Sequence, residues 1–299
     1  MTTRKRWVLL AVALLLAATG GLFVVRQALA VSSVAGLYSG LVADRGVVVE
    51  RGIAFGPLAR DRLDIYRPAA GDRGGPIAMF IYGGGWRSGD RATYGFVGAA
   101  LAARGITTVI ADYRLFPEVR FPAFIEDAAR AYAWISANLA SGGGQRRPIV
   151  LIGHSAGAYI AAMLALDERY LAAAGVAERP AGLVGLAGPY AFDPTTFPTT
   201  QEIFKPATSA NDARPVALVR PGALRTLLMH GLTDETVQLY NTRELASALQ
   251  AVGADVRKIE YAGIGHMGLV LAISRPFRWR APVLREIAEF IRSAEPNKI

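Results

Sequence analysis

The part of this chain best suited to chemistry is a serine with glycines two residues to either side, Gly153-His154-Ser155-Ala156-Gly157. A serine hydroxyl is a weak nucleophile. It needs a base to take its proton and donors to meet the charge that develops on an attacked carbonyl. The run 149–152 before it is apolar, and Ala-rich helical sequence follows over 156–166. In such a strand–turn–helix elbow the serine adopts a strained backbone, so only small residues fit two positions away. Gly153 and Gly157 meet that need. The hydroxyl then projects at the positive N-terminal end of a helix. The plainer alternative is a Gly-rich strand–helix turn without chemistry.

Three histidines make elimination of the base feasible. His154 sits on the elbow itself, where its side chain points the wrong way to take the neighbouring proton. His230 ends a strand before Gly231, a position suited to packing or turn support. His266 lies in Gly263-Ile264-Gly265-His266, expected as a loop after the last strand. It completes the order nucleophile, acid, histidine that belongs with this elbow. The acid is expected after a strand between the two, and Asp234 follows 224–229 by a short turn. Its task would be to hold the imidazole in one tautomer and stabilise the imidazolium. Glu235 is a close competitor, with Asp193 and Asp212 further off, and Asp234 could instead be a helix N-cap. Donors for an oxyanion are expected from Gly83, Gly84 and the Ala156 amide, because Tyr82-Gly83-Gly84-Gly85-Trp86 follows an apolar strand directly.

These residues need elements to position them. Apolar runs at 53–55, 63–66, 77–82, 107–111, 149–152, 183–186, 224–229 and 256–261 read as strands, the first two antiparallel. Helical spacing is expected at 91–103 with Asp90 as cap, and at 122–139, 156–166, 237–249 and 282–291. The alternation implies an α/β fold, a mostly parallel central sheet with helices on both faces. Residues 189–221, rich in Pro, Thr and Phe, break the rhythm. They are expected to form a small cap insertion over the carboxyl ends of the strands, or else a surface loop. The body is expected to span residues 45–299. Gly142-Gly143-Gly144 lacks the Lys-Ser/Thr pair of a phosphate cradle.

Several motifs together resemble the esterase/lipase branch of the α/β-hydrolases, related to hormone-sensitive lipase and the small carboxylesterases. Tyr82 to Trp86 is similar to its His-Gly-Gly-Gly-Trp element. Asp112-Tyr113-Arg114-Leu115-Phe116-Pro117-Glu118 with Phe121-Pro122-Ala123 and Asp127, Leu63-Asp64-Ile65-Tyr66-Arg67-Pro68, and His230-Gly231 with Asp234 also match. The resemblance runs from about residue 50 to the C-terminus. It implies the α/β-hydrolase fold and metal-free, cofactor-free carboxylester hydrolysis by Ser155, His266 and Asp234, with Asp112, Arg114 and Asp127 as structural charge pairs. This chain departs from the branch at Tyr82, where the family has His. Because the donors are backbone amides, catalysis should survive, while loop support and the substrate mouth should differ.

Composition limits the alternatives. The 299 residues are 52% hydrophobic with 32 glycines and 16 prolines, which suits a globular fold with many turns. No cysteine is present, so disulfides, thiolate metal sites and a cysteine nucleophile are excluded. The formal charge of +9 drops to +5 once Arg4, Lys5, Arg6 and Arg26 are set aside, and the other arginines are dispersed among acids. No nucleic-acid partner is expected. Arg4-Lys5-Arg6 precedes an uncharged, apolar stretch over 7–25, with Ala28-Leu29-Ala30 behind it. Residues 1–30 therefore read as a cleaved signal peptide or an uncleaved membrane tether, and both place the body on the non-cytoplasmic side. The expected reaction is hydrolysis of small to medium acyl esters. The alternatives are an amidase such as an arylformamidase, a peptidase, or a catalytically silent binding protein; an intact Ser, Asp and His set argues against the last.

Overall fold

The computed structural model describes residues 44–141 and 146–294. The 1–30 segment and the 142–144 glycines lie outside the described residues. Along the chain run β1 (Val47–Ala54), β2 (Arg62–Pro68), β3 (Ile77–Ile81), α1 (Gly95–Ala102), β4 (Thr108–Ala111), α2 (Ala123–Ile135), β5 (Ile149–His154), α3 (Ala156–Leu166), α4 (Glu168–Ala173), β6 (Gly182–Leu186), α5 (Gln201–Phe204), β7 (Thr226–Gly231), α6 (Tyr240–Ala251), β8 (Val256–Tyr261), α7 (His266–Leu271) and α8 (Val283–Arg292). The strands make one eight-stranded sheet in the order β1-β2-β4-β3-β5-β6-β7-β8. β1 and β2 pair antiparallel, β2 pairs antiparallel with β4, and the others are parallel. Every residue of β3, β5, β6 and β7 is buried. This is why these strands read as unbroken apolar runs: helices cover both faces of a parallel sheet.

Four expectations need correction. The helix expected at 91–103 starts only at Gly95. Asp90 closes a local turn by accepting from the Thr93 amide (2.7 Å), and the Arg91 amide is drawn to Asp112 Oδ1 (2.8 Å). The helix expected at 237–249 starts at Tyr240, because the Val237 amide is bound to Asp234 Oδ1 and its carbonyl to the His230 ring. His266 stands not in a loop but as the first residue of α7. The helix expected at 122–139 is α-helical to Ile135 and continues as a π-helical turn over Ser136–Ala140.

The insertion between β6 and β7 holds α5 and two short 3-10 turns. Its anchor is aromatic. Phe204 is fully buried and packs against Trp86, Phe121, Phe124 and Tyr159 with ring centroids 5.0 to 5.8 Å apart. Such tilted and edge-to-face pairs add to the burial itself. The cluster joins the insertion to α2, α3 and the end of the glycine run. The Arg87 guanidinium adds a bond to the Thr199 carbonyl at 3.0 Å.

Candidate active site

Ser155 sits between the last residue of β5 and the first of α3, at φ 56° and ψ −124°. A non-glycine residue held there is strained and stays only where its surroundings over-determine it. The flanking glycines do this. A Cβ on Gly153 would lie 2.3 Å from the Gly157 carbonyl oxygen, and one on Gly157 would lie 2.1 Å from the Ile81 carbonyl oxygen. The Ser155 amide is bound to the Leu186 carbonyl on β6 at 2.9 Å.

His266 Nε2 lies 2.9 Å from Ser155 Oγ, and His266 Nδ1 lies 2.7 Å from Asp234 Oδ2. Asp234 is buried, and its second oxygen is also occupied. Oδ1 accepts from the Thr236 and Val237 amides, both at 2.9 Å. The two readings of this residue, turn cap and partner of a histidine, are therefore both true, one on each oxygen. Burial would raise the Asp234 pKa, but hydrogen bonds from His230, His266 and the Val237 amide outweigh it and hold the carboxyl well below the usual range. An ionised acceptor there makes Nδ1 the donor of His266 and leaves Nε2 to accept from the serine hydroxyl.

The other two histidines are placed for support. His154 is fully buried, and its Nε2 donates to the His266 carbonyl oxygen (3.2 Å). Burial, then the neighbouring His266, pushes its pKa down to about 3, so the ring stays neutral. His230 donates through Nε2 to the Val237 carbonyl (2.9 Å) and meets the Thr242 hydroxyl through Nδ1 (2.7 Å). The same Nε2 is 3.3 Å from Asp234 Oδ2. Glu235 is exposed, and Asp193 is occupied by Thr195 within the insertion. Neither reaches His266.

The glycine run packs directly on the elbow. A Cβ on Gly83 would stand 2.9 Å from both the His154 carbonyl oxygen and Ser155 Cβ, so the approach demands glycine. The Gly83 backbone interacts with the buried Tyr94 hydroxyl, whose pKa burial pushes up to about 12. Among the described residues, the amides of Gly84, Gly85 and Ala156 donate to no protein acceptor. Gly85, which sequence reasoning did not single out as a donor, lines a cavity of about 290 Å³ together with Ser155 and Ala156. A positive φ of 60° and the open space at its Cα position mark it, and neither is visible in a run of three identical residues. Apolar walls come from Trp86, Val237 and the insertion's Pro189, Phe192 and Phe197; Thr199, Gln238 and Asn241 add polar groups.

Tyr82 is fully buried, stacked on Tyr113 at 4.7 Å and Tyr94 at 5.7 Å. Its hydroxyl donates to Asp112 Oδ1 (3.0 Å) and accepts from Arg60 Nη2 (2.9 Å). Asp112 also holds the Arg91 guanidinium. Asp127 accepts from the Arg114 amide, its guanidinium and Arg130 at 2.7 to 3.2 Å. These are structural ion pairs that brace the loops beside the site. Among the described residues, no group of three or more His, Asp or Glu is arranged to hold a metal ion, and no helix is long and apolar enough to cross a membrane.

Comparison with known proteins extends this geometry. The pattern of the prolyl oligopeptidase family matches residues 128–293, and that of the BD-FAE family matches residues 63–175. The chain is 29% identical over 249 residues to isoprenylcysteine alpha-carbonyl methylesterase of Arabidopsis thaliana, covering 75% of this chain and 57% of that protein. It is 30% identical over 253 residues to esterase LipC of Mycobacterium tuberculosis, covering 76% of this chain and 62% of that one. The chain thus spans about six tenths of the length of these curated relatives. Among solved structures, phosphonate-inhibited esterase B from Lactobacillus rhamnosis superposes with a TM-score of 0.73 over 90% of this chain and 94% of that one, at 18% identity.

Proposed function

The chain belongs to the α/β-hydrolase esterases that share the prolyl oligopeptidase family pattern, and from that footing we propose that it is a serine carboxylesterase acting through Ser155, His266 and Asp234. The observation that carries this is the continuous chain of bonds from Ser155 Oγ through His266 to an ionised Asp234, at 2.9 and 2.7 Å. Ser155 Oγ attacks the ester carbonyl as its proton passes to His266 Nε2. Asp234 holds Nδ1–H in place and stabilises the imidazolium. The tetrahedral oxyanion is received by the free amides of Gly84, Gly85 and Ala156, the last at the positive end of α3. His266 returns the proton to the departing alcohol, and a water then repeats the sequence on the acyl-enzyme with the same base.

The cavity of about 290 Å³ with apolar walls favours a short acyl chain. The names of the relatives, a methylesterase and an esterase, support ester over amide substrates. A fluorophosphonate probe should label Ser155 in folded protein and fail to label Ser155→Ala. A panel of p-nitrophenyl esters beside an aryl formamide should give turnover on butyrate, weaker turnover on long acyl chains and little on the formamide. Unchanged turnover by Ser155→Ala would remove Ser155 from its role. The body is further proposed to lie on the non-cytoplasmic side, tethered through the apolar stretch 7–25. Arg4-Lys5-Arg6 ahead of that stretch supports this reading. Protease protection in intact cells tests it.

A further inference from the structure

The segment linking α7 to α8 reads Arg275-Pro276-Phe277-Arg278-Trp279-Arg280, three arginines and two aromatic residues in six. Trp279 is 80% exposed, far more than the other exposed large apolar side chains, of which Val48 and Phe197 reach 53%. An indole joins a large apolar body to a single N–H donor, and here it stands exposed between the exposed Arg275 and Arg280.

This surface lies where the N-terminal part of the chain joins the body. The described residues begin at Asp44, and its carboxylate accepts two hydrogen bonds from Arg278, at 3.1 and 2.6 Å. Arg104 and Arg292 share the neighbourhood. The Arg292 guanidinium reaches the Arg104 carbonyl at 3.2 Å, and the Arg104 pKa is lowered by burial and then by the charges of Arg278 and Arg292. Asp44 is the acid that offsets this crowding. Ahead of Asp44 the chain contains no acid, and only residues 26–43 separate it from the apolar stretch 7–25. Even fully extended, eighteen residues span only roughly 60 Å.

From these placements we propose that the Arg275–Arg280 segment, with Arg104 beside it, is the face of the body that lies on an anionic phospholipid bilayer, Trp279 entering the headgroup layer and the exposed Arg275 and Arg280 meeting lipid phosphates, while Arg278 stays paired with Asp44. Tryptophan and arginine at a membrane–water boundary each satisfy an apolar body and a polar tip. An acidic protein would meet the arginines equally well but gives no role to the exposed indole. The inference rests on the tether reading given above and is independent of the hydrolytic chemistry.

The absence of native cysteine supplies the test. The full chain carrying Pro276→Cys, labelled with a polarity-sensitive fluorophore, is reconstituted into phosphatidylcholine vesicles with and without phosphatidylglycerol. A second chain carries the label at Thr196→Cys in the insertion. The expected result is a blue shift and several-fold stronger quenching by nitroxide lipids at 276 than at 196, only with phosphatidylglycerol present. Trp279→Ala with Arg275→Glu should abolish the difference while turnover of soluble p-nitrophenyl butyrate stays unchanged. Equal quenching at both positions overturns the inference. Failure of the full chain to float with vesicles overturns the tether and this inference together. Loss of esterase turnover with the quenching intact would overturn only the hydrolase reading.

Discussion

Replacing Tyr82 by Phe removes one oxygen from the position where the chain departs from its family. The ring would keep its stacking on Tyr113 and Tyr94. Asp112 would lose a donor at 3.0 Å but keep the Arg91 amide and guanidinium. Arg60 would lose an acceptor at 2.9 Å but keep the carbonyls of Tyr113 and Gly89 at 2.7 and 2.8 Å. Hydrogen bonds to charged groups contribute about 1.5–3 kcal/mol each. Part of the two lost bonds returns as Arg60 and Asp112, already 3.9 Å apart, attract each other directly. The expected net cost is about 2 kcal/mol, or roughly 4–8 °C in Tm for a body of this size. Thermal and urea melts measure the first quantity, and p-nitrophenyl butyrate hydrolysis measures the chemistry. The value of kcat/KM should stay within about threefold, less than about 1 kcal/mol, because the hydroxyl faces the ion pairs and not the cavity. A fall in kcat of about a hundredfold with Tm unchanged would refute this, since a loss of that size is what removing an oxyanion donor produces.

Three further outcomes follow from the same geometry. Asp234→Asn keeps an acceptor for the Thr236 and Val237 amides but turns an amide group toward His266 Nδ1; kcat should fall about 10⁴-fold with KM nearly unchanged, and a loss under about tenfold would assign the acid elsewhere. Gly157→Ala places a Cβ 2.1 Å from the Ile81 carbonyl, a backbone atom that cannot yield, so stability should fall by about 3 kcal/mol or more, and a wild-type melting curve would contradict the strained elbow. His154 is neutral in the fold, its pKa lowered to about 3 from an unfolded value of about 6.5, so between those values the unfolded chain binds the extra proton. Its contribution to stability is therefore complete above about pH 6.5 and is lost by about 1.4 kcal/mol per unit as pH falls below it. Urea titrations of His154→Asn should show about 2 kcal/mol less loss than wild type on going from about pH 6.5 to about pH 5. Parallel slopes would show that His154 is not held neutral.

What could be read in the sequence was whatever a single backbone contact imposes on a single residue. Gly153 and Gly157 had to be glycine because neighbouring carbonyls stand closer than any Cβ permits. The buried strands announced themselves because a parallel sheet wets neither face. His266 could be found by elimination among three histidines. Hidden were the features decided by long-range bonds. Nothing near Arg91 says that its amide will go to Asp112, twenty-one positions on, and delay α1. Nothing in Val237 says that its amide and carbonyl are taken by Asp234 and His230 before α6 can begin. The choice among Gly83, Gly84 and Gly85 as donors depends on a Tyr94 hydroxyl that local sequence cannot place.

Those long-range bonds also determine what holds the site together. The three reacting side chains stand just beyond the carboxyl ends of β5, β7 and β8, and each of these segments is bound to a neighbour by backbone. The Ser155 amide reaches Leu186 at the end of β6, the Leu232 amide reaches Tyr261 at the end of β8, and the Thr233 amide reaches Ile264 in the turn before His266. Gly231 allows the last approach, since a Cβ there would lie 2.0 Å from the Ile264 carbonyl oxygen. The His154 ring, bound to the His266 carbonyl, closes the circuit between nucleophile and base. None of these backbone ties passes through the insertion, which meets the site through side chains and supplies the cavity wall. Sheet register therefore sets the Ser–His–Asp distances, and the insertion sets what fits beside them. Phe197→Ala should accordingly shift preference toward longer acyl chains through KM while leaving the rate of fluorophosphonate labelling at Ser155 unchanged. A slowed labelling rate would mean that the insertion holds the machinery as well as the substrate.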